Sequence, residues 1–233
     1  MIGIYYTHHC TQKGRNFMAQ QGRSAKYKGS AYERKIAKLM SEGFHTDVQR
    51  TAYSGAGRGI DTQYNNSEVK GENGFVGDLF FPKTHPMSIF NYELKNHAKV
   101  KLAQFFNNNG EIPSFLEQVT TDSRRLGGVG HSVPCLVVHV EREDDYVVFP
   151  YRGAIYKELL SYGPAMITVL SYTQERTQHT YKYQMLITNL ATFMQLSPQH
   201  VYQAYKDYDY DRLNHHQSAP KKLDINKLVK NIR

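Results

Sequence analysis

The run Val133-Pro134-Cys135-Leu136-Val137-Val138-His139-Val140 constrains this chain most. It is almost continuously apolar, the pattern of a strand buried on both faces. A strand of that kind needs cover above and below, which points to a sheet lying between helices. The segments before it agree. Ala31–Glu42 reads as a helix, with Tyr32, Ile36, Leu39 and Met40 on one apolar stripe and Gly43 placed to end it. Ser30 and Glu33 have the spacing of a capping box at its start. Phe44–Ala52, Gly77–Phe81 and Ser88–Lys95 read as strands, and Ser114–Leu126 as a second helix with Ser114 and Glu117 again in capping-box spacing. Gly127-Gly128 closes that helix, and Tyr146–Phe149 forms a further strand stopped by Pro150. The order helix, three strands, helix, two strands describes an α/β sandwich of ordinary domain size.

Three parts are expected: a basic N-terminal arm over 1–27, a core over 28–152, and an α+β C-terminal extension over 153–233. The arm carries basic residues and no acid, and reads equally as a mobile terminus or as a segment lying along a phosphate backbone. Within the extension, Tyr156–Tyr162 reads as helical, Met166–Tyr172 and Thr180–Ile187 as a hairpin, Ser197-Pro198 as a helix start and Leu223–Ile232 as a last helix. Residues 61–74 are polar and rich in Asn and Gly, a loop or insertion. Before them, Tyr53-Ser54-Gly55-Ala56-Gly57-Arg58-Gly59 fits neither nucleotide-binding glycine fingerprint. It suits a flexible loop that presents Arg50, Ser54 and Arg58 to a nucleic-acid backbone.

Charge on the strands carries the chemistry. In Ser88–Lys95, Ile89, Asn91, Glu93 and Lys95 share one face, and Phe90, Tyr92 and Leu94 the other. The polar face ends in a carboxylate and an ammonium side by side, costly to bury unless paired or bound to a metal. Asp78 sits on the preceding strand, and antiparallel pairing across the Pro82/Pro86 turn would bring it beside Glu93. Two acids and a carbonyl are enough oxygen donors for Mg2+, and a lysine alongside can orient water or neutralise transition-state charge. The competing reading is an ion pair on an edge strand, which contributes little. Glu33, taken alone, is explained by its capping spacing.

The order of these features resembles the PD-(D/E)XK nuclease superfamily, and most closely its archaeal-type Holliday-junction resolvases. The matching stretches are Lys28-Gly29-Ser30-Ala31-Tyr32-Glu33-Arg34, Gly43-Phe44 leading to Arg50-Thr51-Ala52-Tyr53-Ser54-Gly55, then Asp78, Tyr92-Glu93-Leu94-Lys95, and Arg124-Arg125-Leu126-Gly127-Gly128 before the Pro134–Val140 strand. The likeness covers about residues 28–150. It implies a restriction-endonuclease-like core, a central mixed sheet flanked by helices. It also implies that Asp78, Glu93 and the Leu94 carbonyl hold one or two Mg2+ ions, with Mn2+ able to substitute. Glu33 would join them directly or through water, Lys95 would position the attacking water and Gln118 would steady that lysine or the water. Lys28, Arg50, Ser54 and Arg58 would contact DNA. Gly77 stands where the family has a proline. The implied partners are branched DNA and a second copy of the chain, since a four-way junction offers two equivalent strands to a two-fold dimer.

Composition is compatible with that reading. Formal net charge is +8, which favours a polyanionic partner. Only Cys10 and Cys135 are present, with no CxxC, against a disulfide scaffold or zinc ribbon; His8-His9-Cys10 has no partner pair spaced for a metal. The sequence shows neither a signal-peptide core nor a run of about 20 apolar residues, so an intracellular, cytoplasmic or nucleoid-associated location is expected. The alternatives to a junction resolvase are a nuclease of the same superfamily acting on duplex, flap or single-stranded DNA, and a non-catalytic basic DNA-binding module.

Overall fold

A computed structural model describes residues 12–51, 77–128 and 132–214, with side chains of the first helix described from Lys28. Ser54, Arg58, the 61–74 loop, His8-His9-Cys10 and Leu223–Ile232 lie outside the described residues. The elements are α1 (Gln12–Phe44), β1 (Gln49–Arg50), β2 (Leu79–Phe80), β3 (Phe90–Lys95), α2 (Ala103–Asn107), α3 (Ile112–Arg125), β4 (Val133–His139), β5 (Asp145–Pro150), α4 (Gly153–Tyr162), β6 (Ala165–Thr173), β7 (Thr180–Asn189), α5 (Leu190–Phe193) and α6 (Pro198–Tyr205). A 3-10 turn, Pro86–Ile89, leads into β3, and another, Arg212–Asn214, ends the described chain.

One mixed sheet has the order β1-β2-β3-β4-β5-β7-β6. Only β3 and β4 pair in parallel; the other neighbours are antiparallel. Parallel strands need a long crossover, and the chain makes it through α2 and α3. The continuous apolar run behaves as expected: β4 is buried on both faces up to Val138. Val133, Cys135 and Val137 face one core with α1, α4, α5 and α6, while Leu136 and Val138 face a second with α2 and α3. The first core is aromatic at its centre. Phe90 meets Phe149 at 5.8 Å, Tyr205 at 5.3 Å and Phe193 at 6.1 Å between ring centroids. The first two are edge-to-face pairs, which add about 0.5–1.5 kcal/mol each beyond their burial.

Residues beyond 152, expected as an extension, supply β6 and β7 to this same sheet and α4, α5 and α6 to the same core. The sheet therefore runs on across that position. Ser197 caps α6 as expected, its Oγ accepting from the His200 N–H. Along the outer edge of the sheet, the Asn108 side-chain amide donates to the Ser171 carbonyl at 3.0 Å and accepts from the Ser171 N–H at 2.9 Å.

Two expected helix starts are corrected. Ser30 is no N-cap, because α1 is already helical from Gln12; Ser30 and Glu33 lie mid-helix, and residues 12–27 of the expected arm contribute its first turns. Ser114 is no N-cap either. Its helix begins two residues earlier at Ile112, where Pro113 takes a first-turn position and no side chain caps. Serine-to-glutamate spacing is short enough to arise inside a continuous helix, and a proline is the stronger boundary signal here. The other end of α3 closes as expected: Gly127 and Gly128 have φ of 104° and 65°, and Gly128 N–H donates to the Ser123 carbonyl.

Arg124, in the last turn of α3, does more than favour the helix dipole. It forms a two-pronged pair with Asp211 at 2.8 and 2.9 Å, donates to the hydroxyls of Tyr172 and Tyr183, and stacks 4.4 Å over the Tyr181 ring. One guanidinium thus ties α3 to β6, β7 and the final 3-10 segment. Arg124→Ala should lower stability by about 3 kcal/mol, because it strands a half-buried carboxylate and two phenols. A chemical denaturation midpoint equal to wild type would refute that role.

Candidate active site

Register places the two acids together. Leu79 on β2 pairs with Tyr92 on β3, so Asp78 and Glu93 fall beside each other on the face that looks at α3. The Asp78 N–H donates to the Tyr92 carbonyl at 2.7 Å, and its Oδ2 accepts from the Leu94 N–H at 2.8 Å. Backbone therefore fixes the first acid at both ends. Gly77 makes that geometry available. Its φ is +91°, and a Cβ there would lie 2.8 Å from the Tyr92 carbonyl oxygen and 2.4 Å from Asn91 Oδ1. Proline, locked near φ −65°, cannot take this conformation, so the departure from the family pattern is a requirement of this backbone.

Glu93 and Lys95 form one closed cluster with α3. Lys95 Nζ donates to Glu93 Oε1 at 2.6 Å and to Gln118 Oε1 at 2.7 Å, and Gln118 Nε2 donates to the same Glu93 oxygen at 2.6 Å. The ammonium also lies 5.3 Å from the centre of the Phe115 ring. Side-chain exposures of 13% for Lys95 and 7% for Glu93 separate this pair from a solvated surface ion pair. Nor is β3 an edge strand: β2 and β4 flank it. Phe115 was not legible as a site residue, although its place three residues before Gln118 on one helix face was a usable signal.

Glu33 reaches the cluster from α1. Its Oε2 accepts from Arg50 NH1 at 3.1 Å, while Arg50 and Arg34 both donate to Ser30 Oγ, at 2.6 and 2.8 Å. Arg50, expected on DNA, is thus engaged with Glu33, and Ser30 acts as its anchor. Lys28 is exposed on the same helix, five positions before Glu33.

Electrostatics at the site are strained. Burial raises the Asp78 carboxyl most, Glu93 and Glu33 raise it further, and the Leu94 N–H and Lys95 oppose them; the group is pushed up to about 8. Glu93 is also raised, chiefly by burial, against the pull of Lys95. Two adjacent buried carboxyls that resist ionising together are a fit for a divalent cation, which would neutralise both. The donors are hard oxygens: those of Asp78 and Glu93 not engaged by the Leu94, Lys95 and Gln118 bonds, and the Leu94 carbonyl. Among the described residues no set of three His, Cys, Asp or Glu side chains is arranged as a metal cage. Mg2+ suits that sparser set, because it keeps several waters.

Gly77→Pro should displace Asp78 and cost about 2–4 kcal/mol of stability, with Gly77→Ala milder. Thermal melts of both variants check this, and a wild-type melting point for Gly77→Pro would contradict the geometry. The raised Asp78 carboxyl has a pH signature. In the fold it holds a proton that the unfolded chain releases near pH 4, so without divalent cation stability falls as pH rises from about 4 to 8. Melting in chelator between pH 5 and 8 should show that fall, and Asp78→Asn should flatten it. Equal slopes in the two proteins would remove Asp78 as the cause.

No curated protein and no solved structure matches the chain. The model of a family described as "Phage putative PDDEXK endonuclease" matches residues 24–203, which takes in Glu33, Asp78, Glu93, Lys95 and Gln118 and continues through β6, β7 and most of α6. With the mixed sheet, its flanking helices and the acid-lysine cluster in place, the chain belongs to this family of PD-(D/E)XK endonucleases.

Proposed function

We propose that this endonuclease hydrolyses DNA phosphodiesters with Mg2+ held by Asp78, Glu93 and the Leu94 carbonyl, and that its preferred substrate is a four-way junction. The observation that carries the chemistry is the pair of buried acids sharing one sheet face, with Lys95 fixed two residues on by Glu93 and Gln118. Bound there, the cation would polarise the scissile phosphate and acidify a water. The chain's own part is placement. Lys95 would donate to the attacking water and lie against the negative charge that grows on the phosphate. Gln118 and the Phe115 ring keep the ammonium from swinging away, so little reorganisation remains when substrate binds. Glu33 would act from α1, directly or through water, with Arg50 holding its orientation.

The junction preference is supported by the ordered likeness of residues 28–150 to archaeal-type resolvases, and with it the expectation of a two-fold dimer. Mn2+ should replace Mg2+, since both take oxygen donors. Net charge of +8 suits a nucleic-acid partner. No helix among the described residues is long and apolar enough to cross a membrane.

Cleavage assays on a four-way junction, a flap, a duplex and a single strand test substrate and chemistry together. Wild type should make paired, symmetrical nicks near the junction centre in Mg2+ and none in chelator. Asp78→Ala, Glu93→Ala and Lys95→Ala should each cut at least about a thousandfold more slowly while still binding the junction. Retained cutting by Lys95→Ala would overturn the mechanism, and faster cutting of flap or duplex would replace the junction as substrate. Firm binding without cutting of any DNA would favour a non-catalytic binding module.

A further inference from the structure

A second polar cluster lies on the other flank of α1. Asp145, at the start of β5 and only 8% exposed, receives three donors from two elements, α1 and β4. Lys35 Nζ donates to its Oδ2 at 2.7 Å, Tyr32 OH to its Oδ1 at 3.1 Å, and His139 Nδ1 lies 3.0 Å from that same Oδ1. Tyr32 is buried, and burial together with Asp145 holds its phenol protonated, so it serves as a fixed donor. Lys35 and His139 differ from it. Their side chains are 54% and 37% exposed, each with one nitrogen contact inward to Asp145. Lys35 therefore keeps N–H donors toward solvent, while His139, whose Nδ1–H is spent on the carboxylate, presents an Nε2–H only as imidazolium. One buried acid needs only one cation to balance it, and Lys35 supplies it; His139 as imidazolium would add a further donor and a charge at the surface.

Position gives this arrangement its meaning. Glu33 and Lys35 are two apart on a helix and leave it in nearly opposite directions. Glu33 turns toward β1 through Arg50, and Lys35 toward β5 through Asp145. Parallel register sets Lys95 beside Val138, so His139 emerges one residue past the catalytic lysine, at the same end of the sheet and on the α1 face. Strands lie about 4.8 Å apart, which puts β4 about 10 Å from Asp78 across two strand spacings. The acid-lysine site opens on the α3 face and this flank on the α1 face, so a backbone meets both only where it crosses the strand ends.

We propose that Lys35 and His139, fixed on buried Asp145, form a binding site for a DNA backbone phosphate outside the scissile position. The assignment rests on the nuclease reading above. Lys35 and His139 would be contact residues and Asp145 a positioning residue that acts through them. A site of this kind is blind to base sequence and sets the register of the strand over the cluster.

Binding of a fluorescently labelled junction and duplex, in Ca2+ to prevent cutting, is to be measured across a salt series for wild type, Lys35→Gln, His139→Gln and Lys35→Arg, with thermal melts alongside. Lys35→Gln and His139→Gln should each weaken binding about three- to tenfold and reduce the salt slope by about 1, uniformly across sequences, with Lys35→Arg restoring both. In cleavage, the glutamine variants should raise KM more than they lower kcat. Unchanged affinity and slope with a lowered melting point would overturn the site and leave the cluster a link between helix and sheet. Wild-type protein that neither binds nor cuts DNA would overturn the nuclease reading and the phosphate site with it. Wild type that binds normally while the variants keep its slope would overturn the phosphate site alone.

Discussion

The structure depends on two buried acids held beside each other against their own repulsion. Asp78 is pinned by backbone on both sides, at its N–H by Tyr92 and at its carboxylate by Leu94. Glu93 is held by side chains from a different element, Lys95 on its own strand and Gln118 from α3. Neither carboxyl can relax away, because the strands carrying them are in mid-sheet and the opposite face is packed with aromatic rings. Two carboxyls buried side by side oppose folding even with Lys95 on one and a proton on the other, so a protein keeps them only where the surroundings over-determine them. The seven-stranded sheet and its two cores supply that determination.

Helix α1 serves both sides of this arrangement. Its apolar stripe, Tyr32, Ile36 and Met40, lies on the sheet, while polar residues on its flanks reach opposite strands: Glu33 and Ser30 hold Arg50 of β1, and Tyr32 and Lys35 hold Asp145 of β5. Small changes in the helix's roll would move both flanks in opposite senses. The cluster on β5 therefore bears on where Glu33 sits.

Much of this was legible in the residues. Alternation on β3 named the face that carries Glu93 and Lys95, and the Pro82/Pro86 turn implied the pairing that brings Asp78 alongside. The continuous apolar run of Val133–Val140 identified the central strand and so the layered fold. Helix starts were misread because serine-x-x-glutamate is a local pattern, and its meaning depends on whether the chain before it is already helical, which at Ser30 it is. The placement of residues 153–214 was not legible for a different reason. Strand pairing is a long-range contact, and nothing in Thr180–Asn189 announces that it will bond to Asp145–Pro150 rather than found a sheet of its own. The Asp145 cluster was hidden likewise: Tyr32 and Lys35 are 110 or more residues from Asp145, although His139 meets Asp145 directly across the antiparallel β4–β5 pair.

Among the described residues strand β6 ends the sheet with nine residues, Ala165 to Thr173, none of them charged and none a proline. An edge so regular and so neutral is a template on which any extended chain could be laid down. Asn108 occupies that template. Its amide meets Ser171 with one donor and one acceptor, as a neighbouring strand's peptide group would, so a single side chain from the turn after α2 imitates the next strand and adds nothing beyond it. An incoming strand would have to evict it before it could run past Ser171. The sheet is thereby brought to a stop, and the enzyme can carry an oily border in a crowded cell without being stitched to its neighbours.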